Sequence, residues 1–186
     1  MLLIIDCGYK YIHQLQRIVD DYEDAETIAI YDLNPEKLGA YQGIIISSAQ
    51  ITVENNSFGK YLEKLMPILA TDLPILGIGI GHHLLGLLHQ ALPSYQSYTY
   101  DFQKIAIIAD SPLFDRLPLD IEMMADHAGT ISIPPGFNLL ASSDKSINES
   151  MQHTEKPYFG VQFLPELSGN HGGLIIENFI KITQEK

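Results

Sequence analysis

Residues Pro74 to Leu88, PILGIGIGHHLLGLL, set three glycines at every second position between an apolar burst and a leucine-rich run. A short continuous apolar segment reads as a strand buried on both faces, and the leucines that follow are too regular for a loop. The stretch therefore predicts a strand, a sharp turn and a helix. Such a turn lifts its central residue to the top of a sheet and points the first helix amides at whatever sits there, as in the nucleophile elbow of hydrolases. Here the central residue is Gly79, which has no side chain. A scaffold of catalytic type is expected with nothing at its apex.

The chain before this turn alternates. Leu2 to Ile5 reads as a buried strand, and Ile12, Leu15, Val19 and Tyr22 follow at helical spacing. Thr27 to Tyr31 and Gly43 to Ser47 read as the second and third strands, with Asn34-Pro35 starting a turn or short helix between them. Phe58, Leu62, Leu65 and Leu69 mark a helix bent or ended near Pro67, and Ile75 to Ile78 is the fourth strand. Strands alternating with helices predict a mostly parallel sheet covered on both sides, with ligands beyond the carboxyl ends of the strands.

Beyond the turn the pattern changes. Tyr95 to Tyr100, Lys104 to Ala109, Ile121 to Ala125, Thr130 to Ile133 and Leu139 to Ser142 read as short strands separated by turn signals, which suggests an antiparallel extension. Tyr158 to Phe163 reads as a last core strand and Leu174 to Ile180 as the closing helix. At 186 residues, 46% of them hydrophobic, with no repeat and no linker-like tract, one domain spanning residues 1–186 is expected.

Charge narrows the partners. With 23 acidic against 11 basic residues the formal net charge is −12, and no Lys/Arg cluster offsets it, so nucleic acid and anionic membrane are excluded as expected partners. The apolar start MLLII is cut short by Asp6, too soon for a signal-peptide core or a spanning segment. A single cysteine, Cys7, permits no internal disulfide, and a cytoplasmic location is expected.

Several separated segments together resemble the class I glutamine amidotransferases, most closely the amidotransferase part of GMP synthetases. GIGIGHH, Gly77 to His83, resembles that family's G-x-C-x-G-H-Q, and YFGVQFLPE, Tyr158 to Glu166, resembles its Y-G-V-Q-F-H-P-E. SPLFDRLP (Ser111 to Pro118), ADHAG (Ala125 to Gly129), PPGFNLLASSD (Pro134 to Asp144) and IIENFI (Ile175 to Ile180) follow in the family's order. The resemblance implies a three-layer α/β/α fold of flavodoxin-like type with a mostly parallel central sheet and an antiparallel extension. It also implies an activity: a cysteine thiolate attacks the side-chain amide of glutamine, a histidine acts as base and then acid, a glutamate orients the histidine, and ammonia passes to a synthetase.

This sequence departs from nearly every element of that chemistry. The nucleophile position is Gly79 and the histidine position is Leu164, leaving only Glu166 of the triad. The loop after the third strand, usually S-G-G-P, is Ser47-Ser48-Ala49-Gln50, and the glutamine that ends the elbow motif is His83. Losing a nucleophile or its base costs about 10⁴- to 10⁶-fold in rate. No glutaminase activity is expected. The expected role is that of a pseudoenzyme that binds a ligand or partner, with no cofactor and no bound metal. Its binding partner would be a paralogous amidotransferase, an ATP-dependent synthetase subunit or a small molecule in the elbow pocket. The candidate ligand-binding residues are Ser47, Ser48, Gly79, His82, His83, His127 and Glu166, with Leu164 also lining the pocket.

Other readings stay open at this level. His82, His83, His127 and Glu166 could supply nitrogen and oxygen ligands to a metal in an enzyme of different chemistry, although adjacent helical histidines point about 100° apart. The glycines could also cradle an anion at the helix N-terminus, but the pattern is not the full G-x-G-x-x-G of dinucleotide sites. Cys7 reads as a small buried core residue, Ser47 and Ser48 as residues at the pocket mouth, and His153 and His171 as surface residues.

Overall fold

The computed structural model describes residues 1–50 and 58–185. Its centre is a nine-stranded sheet in the order β2-β1-β3-β4-β9-β8-β7-β5-β6. The first five of these, β2 (Ala25–Ala29), β1 (Leu2–Asp6), β3 (Ile44–Ile46), β4 (Ile75–Ile78) and β9 (Tyr158–Val161), run parallel. The other four, β8 (Ser150–His153), β7 (Phe137–Ser142), β5 (Pro93–Ile107) and β6 (Asp120–Ile131), form the antiparallel extension.

The inner parallel strands are apolar because both faces are covered, as their sequences predict. On one face α1 (Ile12–Asp20) and α4 (Gly169–Gln184) pack with Leu2, Ile4, Ile45 and Leu76; on the other α2 (Phe58–Leu65) and α3 (Ile80–Leu88) pack with Leu3, Ile5, Ile44 and Ile46. Alternate residues of one strand thus enter opposite cores, and each fully buried Leu or Ile contributes about 1.5–3 kcal/mol. Asn34 caps the 3-10 turn Pro35–Ala40, its side chain accepting from the Glu36 amide. Pro67 ends α2, and the chain continues as the 3-10 turn Met66–Ala70.

Four expectations are corrected. The segments Tyr95 to Tyr100 and Lys104 to Ala109 lie mostly on one strand, β5, and Ile121 to Ala125 and Thr130 to Ile133 mostly on another, β6. The polar residues between them hold their places through cross-strand pairing, with a bulge between Tyr95 and Thr99 absorbing the irregular pattern. β8, sequence SMQH, carries no strand pattern and exists because β7 and β9 flank it. The second strand begins at Ala25 and ends at Ala29, with Tyr31 in a 3-10 turn. His153 is not a free surface residue: its ring packs edge-on with Phe137 and lies 5.5 Å from that of His89. No helix among the described residues is long and apolar enough to cross a membrane.

Candidate functional site

The turn between β4 and α3 is built by its three glycines for two different reasons. A Cβ on Gly77 would strike the Gly81 carbonyl, and one on Gly81 would strike the carbonyl of Ile46, so these two permit close backbone packing. Gly79 sits at φ +57° and ψ −115°, in the left-handed half of backbone space that side chains disfavour. Its amide donates to the Val161 carbonyl at 2.8 Å, and its carbonyl accepts from the His83 amide at 3.3 Å. The predicted elbow is therefore present, strapped to β9 and to its own helix.

Its apex is filled from outside. A Cβ on Gly79 would lie 2.8 Å from the Cβ of Ser48, closer still to the Ser48 hydroxyl, and 3.2 Å from a methyl of Leu164. The Ser48 hydroxyl accepts the Ile80 amide at 3.2 Å, one of the donors that an anion at this helix N-terminus would use. Ser47 faces inward instead of toward the mouth: its hydroxyl accepts the Cys7 amide at 3.0 Å and donates to the Ser48 carbonyl at 2.7 Å. Cys7 is buried as expected, and burial pushes its thiol up to about 12. No thiolate forms there near neutral pH.

Beside the elbow lies a cavity of about 210 Å³ lined by Tyr9, Lys10, Ser48, Gln50, Asp126 and His127, among others. Across it the Lys10 ammonium pairs with the Asp126 carboxylate at 2.9 Å, and the Tyr98 hydroxyl donates to the same carboxylate at 2.6 Å. Of the residues expected to line the pocket, Ser48 and His127 do so; Gly79, His82, His83, Leu164 and Glu166 do not touch this cavity. His82, His83 and Leu164 are buried in the core, Glu166 is turned to Tyr9, and Ser48 and Leu164 crowd the apex at Gly79. Two larger cavities, about 610 and 510 Å³, lie elsewhere: one against α4, the other between the ends of β5 and β6.

The histidines do not converge. His83 Nε2 meets Gln162 Oε1 at 3.1 Å, and the Gln162 amide nitrogen meets His127 Nε2 at 3.1 Å, so Gln162 bridges the buried ring to the one at the cavity. Burial lowers the His83 pKa to about 4 and holds His127 below its ordinary value. His82 points into the core, where among the described residues neither ring nitrogen makes a well-formed hydrogen bond and where Gly160 makes room for the ring. Burial keeps it neutral. Among the described residues no group of three or more His, Cys, Asp or Glu side chains is arranged to hold a metal ion.

Glu166 has found a different partner from an imidazole: the Tyr9 hydroxyl donates to its Oε1. Oε2 is shielded and has no partner among the described residues, and burial raises the carboxyl to about 7. Neither Tyr9 nor Gln162 is singled out by the sequence. Gln162 stands inside the conspicuous strand Tyr158 to Phe163, which is the signal that could have found it; Tyr9 stands in the opening stretch Leu2 to Leu15, which predicts a strand and a helix but no contact with Glu166.

The match to known proteins falls on this same framework. A family model for class I glutamine amidotransferases matches residues 3–182. The chain belongs to the class I glutamine amidotransferase family. It is 32% identical over 191 residues to a glutamine-hydrolyzing GMP synthase subunit of Pyrococcus furiosus, with all of both chains covered. The corresponding subunit of Methanocaldococcus jannaschii is 30% identical over 197 residues, covering 100% of this chain and 99% of that one. A crystal structure of a GMP synthase subunit-like protein from Thermoplasma acidophilum superposes with a TM-score of 0.91 at 23% identity, covering 98% of this chain and 93% of that one, and shares the fold. A glutamine amidotransferase from Thermotoga maritima superposes at 0.82 with 14% identity, covering 100% and 98%. This family member thus has the strand, turn and helix that its sequence predicts, with the turn's apex filled by its own side chains.

Proposed function

We propose that this chain is an amidotransferase-family protein that does not hydrolyse glutamine and works by binding. The observation that carries the reading is the occupied elbow: Ser48 and Leu164 take up the space a nucleophile at Gly79 would need. Among the described residues no other group beside the cavity replaces it. Cys7 is a buried thiol, Ser48 accepts a backbone hydrogen bond without a base beside it, and Glu166 is engaged by Tyr9. What remains at the cavity is an ammonium–carboxylate pair, hydroxyls and a neutral imidazole, which can hold a small polar molecule by hydrogen bonds but supply no activated nucleophile.

The partner this reading favours is a separate ATP-dependent synthetase chain resembling the GMP-forming one. Relatives matched over the whole length are named as subunits of GMP synthase, which supports a second chain, and this one is matched by the amidotransferase family model over residues 3–182. A paralogous, active amidotransferase is the other partner of this class. Glutamate release by the unmodified protein, alone and with a candidate synthetase, tests the proposal. The expected result is no release above a protein-free control; release that survives repurification would overturn it.

A further inference from the structure

The longest strand of the antiparallel extension carries an unusual surface. β5 pairs with β6 from Pro93 to Ala106, but on its other edge it meets β7 only at Ala106 and Ile107, so among the described residues the edge from Pro93 to Ile105 has no strand partner. On this same stretch Tyr95, Tyr98, Tyr100 and Phe102 are each more than half exposed. Single exposed aromatics are ordinary; four within eight residues, on an unpaired edge, are not. Edge strands are usually blunted by charge, proline or a bulge; here Pro93 stands only at the strand's first residue, the bulge is confined to Tyr95–Thr99, and Asp101 and Lys104 are the only charges between Ser94 and Ile105.

We infer that β5 is a pairing edge for a second copy of this chain, joined antiparallel across a two-fold axis near Thr99. Three observations select that occupant. An antiparallel edge is complementary to itself, so one strand supplies both halves of a closed, isologous interface. The strand is electrically near neutral, with one acid and one base, whereas the chain as a whole carries −12, so two copies meet along a stretch that adds no net charge repulsion of its own. The area is also of the right order. At about 200 Å² per ring the four half-exposed aromatics present about 450 Å² per copy, the most that pairing could cover of them against the ~800 Å² per partner of a standard interface, with the backbone edge and neighbouring side chains adding to it. With the axis at Thr99, where the ladder to β6 resumes after the bulge, Tyr100 of each copy lies beside the bulge that carries the partner copy's Tyr98. Lys10 already lies over the Tyr100 ring, 5.3 Å from its centroid, so the joined edge would border the elbow cavity of each copy.

Sedimentation equilibrium from about 1 to 200 µM, together with amide hydrogen exchange at the two ends of that range, tests the inference. The expected result is a monomer–dimer equilibrium that salt strengthens, weakened at least tenfold by Phe102→Lys or Tyr95→Lys, with those amides between Ser94 and Lys104 that face away from β6 gaining protection only at high concentration. A monomer throughout would overturn it. So would a dimer that leaves those amides unprotected, or amides protected only when a separate synthetase chain is added. The exchange arm uses the unmodified protein and decides the matter even if a lysine variant fails to fold.

Discussion

Ser48 and Gly79 share one space: the serine hydroxyl sits where a side chain on the elbow residue would begin, and it caps the Ile80 amide from that position. A cysteine at 79 must therefore either displace Ser48 or itself be displaced, and it must do so in a left-handed backbone conformation that alone costs about 1–3 kcal/mol. Gly79→Cys is expected to destabilise the protein by roughly 2–4 kcal/mol. Ser48→Gly in the same chain should return part of that loss. Urea unfolding of the two single variants and the double variant would measure the coupling, expected at about 1 kcal/mol or more; strict additivity would show that the two residues do not compete for the space.

Restoring the family's nucleophile and base should not restore its chemistry. In Gly79→Cys/Leu164→His the new imidazole replaces a fully buried side chain packed beside Gly79, and Glu166, which would have to orient it, already accepts from Tyr9. The loop Ser47-Ser48 is also held inward by its bonds to Cys7 and Ile80 and is not free to turn two amides toward an oxyanion. The expected glutaminase rate of the double variant is indistinguishable from background in an assay of glutamate release. Turnover near that of an ordinary amidotransferase would mean that the loop and Glu166 readjust freely around a restored pair.

The parallel half of this fold was legible because its inner strands have to be apolar on both faces, and GIIIS or PILGI admits few other readings. The elbow was legible for a similar reason, since alternating glycines between a strand and a helix answer to close packing at Gly77 and Gly81. The antiparallel half was less so. Strands such as β8 take their identity from their neighbours' hydrogen bonds, and the exposed face of β5 breaks the period-2 pattern that marks a strand. The site was legible in its absences, Gly79 and Leu164, but not in what replaced them. That Tyr9 would reach Glu166, 157 residues away, and that Gln162 would join His83 to His127, follow only from the packed chain.

The Tyr9–Glu166 bond gives a third expectation. Tyr9→Phe removes a side-chain donor to a shielded carboxyl whose other oxygen has no partner among the described residues, and a buried polar group left unmatched costs about 1–3 kcal/mol. Tyr9→Phe/Glu166→Leu removes both and should be less destabilised than the single variant. Thermal unfolding at pH 7 would check this ordering; a double variant weaker than Tyr9→Phe would mean that Glu166 has another role in the fold.

The pH dependence of stability combines groups of opposite sign. Glu149, buried with the Ser143 hydroxyl donating to it, and Glu166 are both raised by burial from 4.5 to about 7, so each takes up its proton more readily folded than unfolded. Their contribution is fully present below pH 4.5 and is lost as pH rises through 7. His83, lowered from 6.5 to about 4, and His82, lowered further in direction, work the other way: their contribution is present above pH 6.5 and is lost as pH falls toward 4. Each such group changes stability by about 1.4 kcal/mol per pH unit within its window, so the melting temperature should pass through a broad maximum at about pH 6 and decline on both sides. Glu149→Gln separates the arms: the substitution removes the cost of ionising a buried carboxyl, so it should raise the melting temperature by several degrees at about pH 8.5 and leave it nearly unchanged at about pH 5. Scanning calorimetry across roughly pH 4–9 reads both, and an equal shift at the two pH values would show that the carboxyl of Glu149 does not titrate between them.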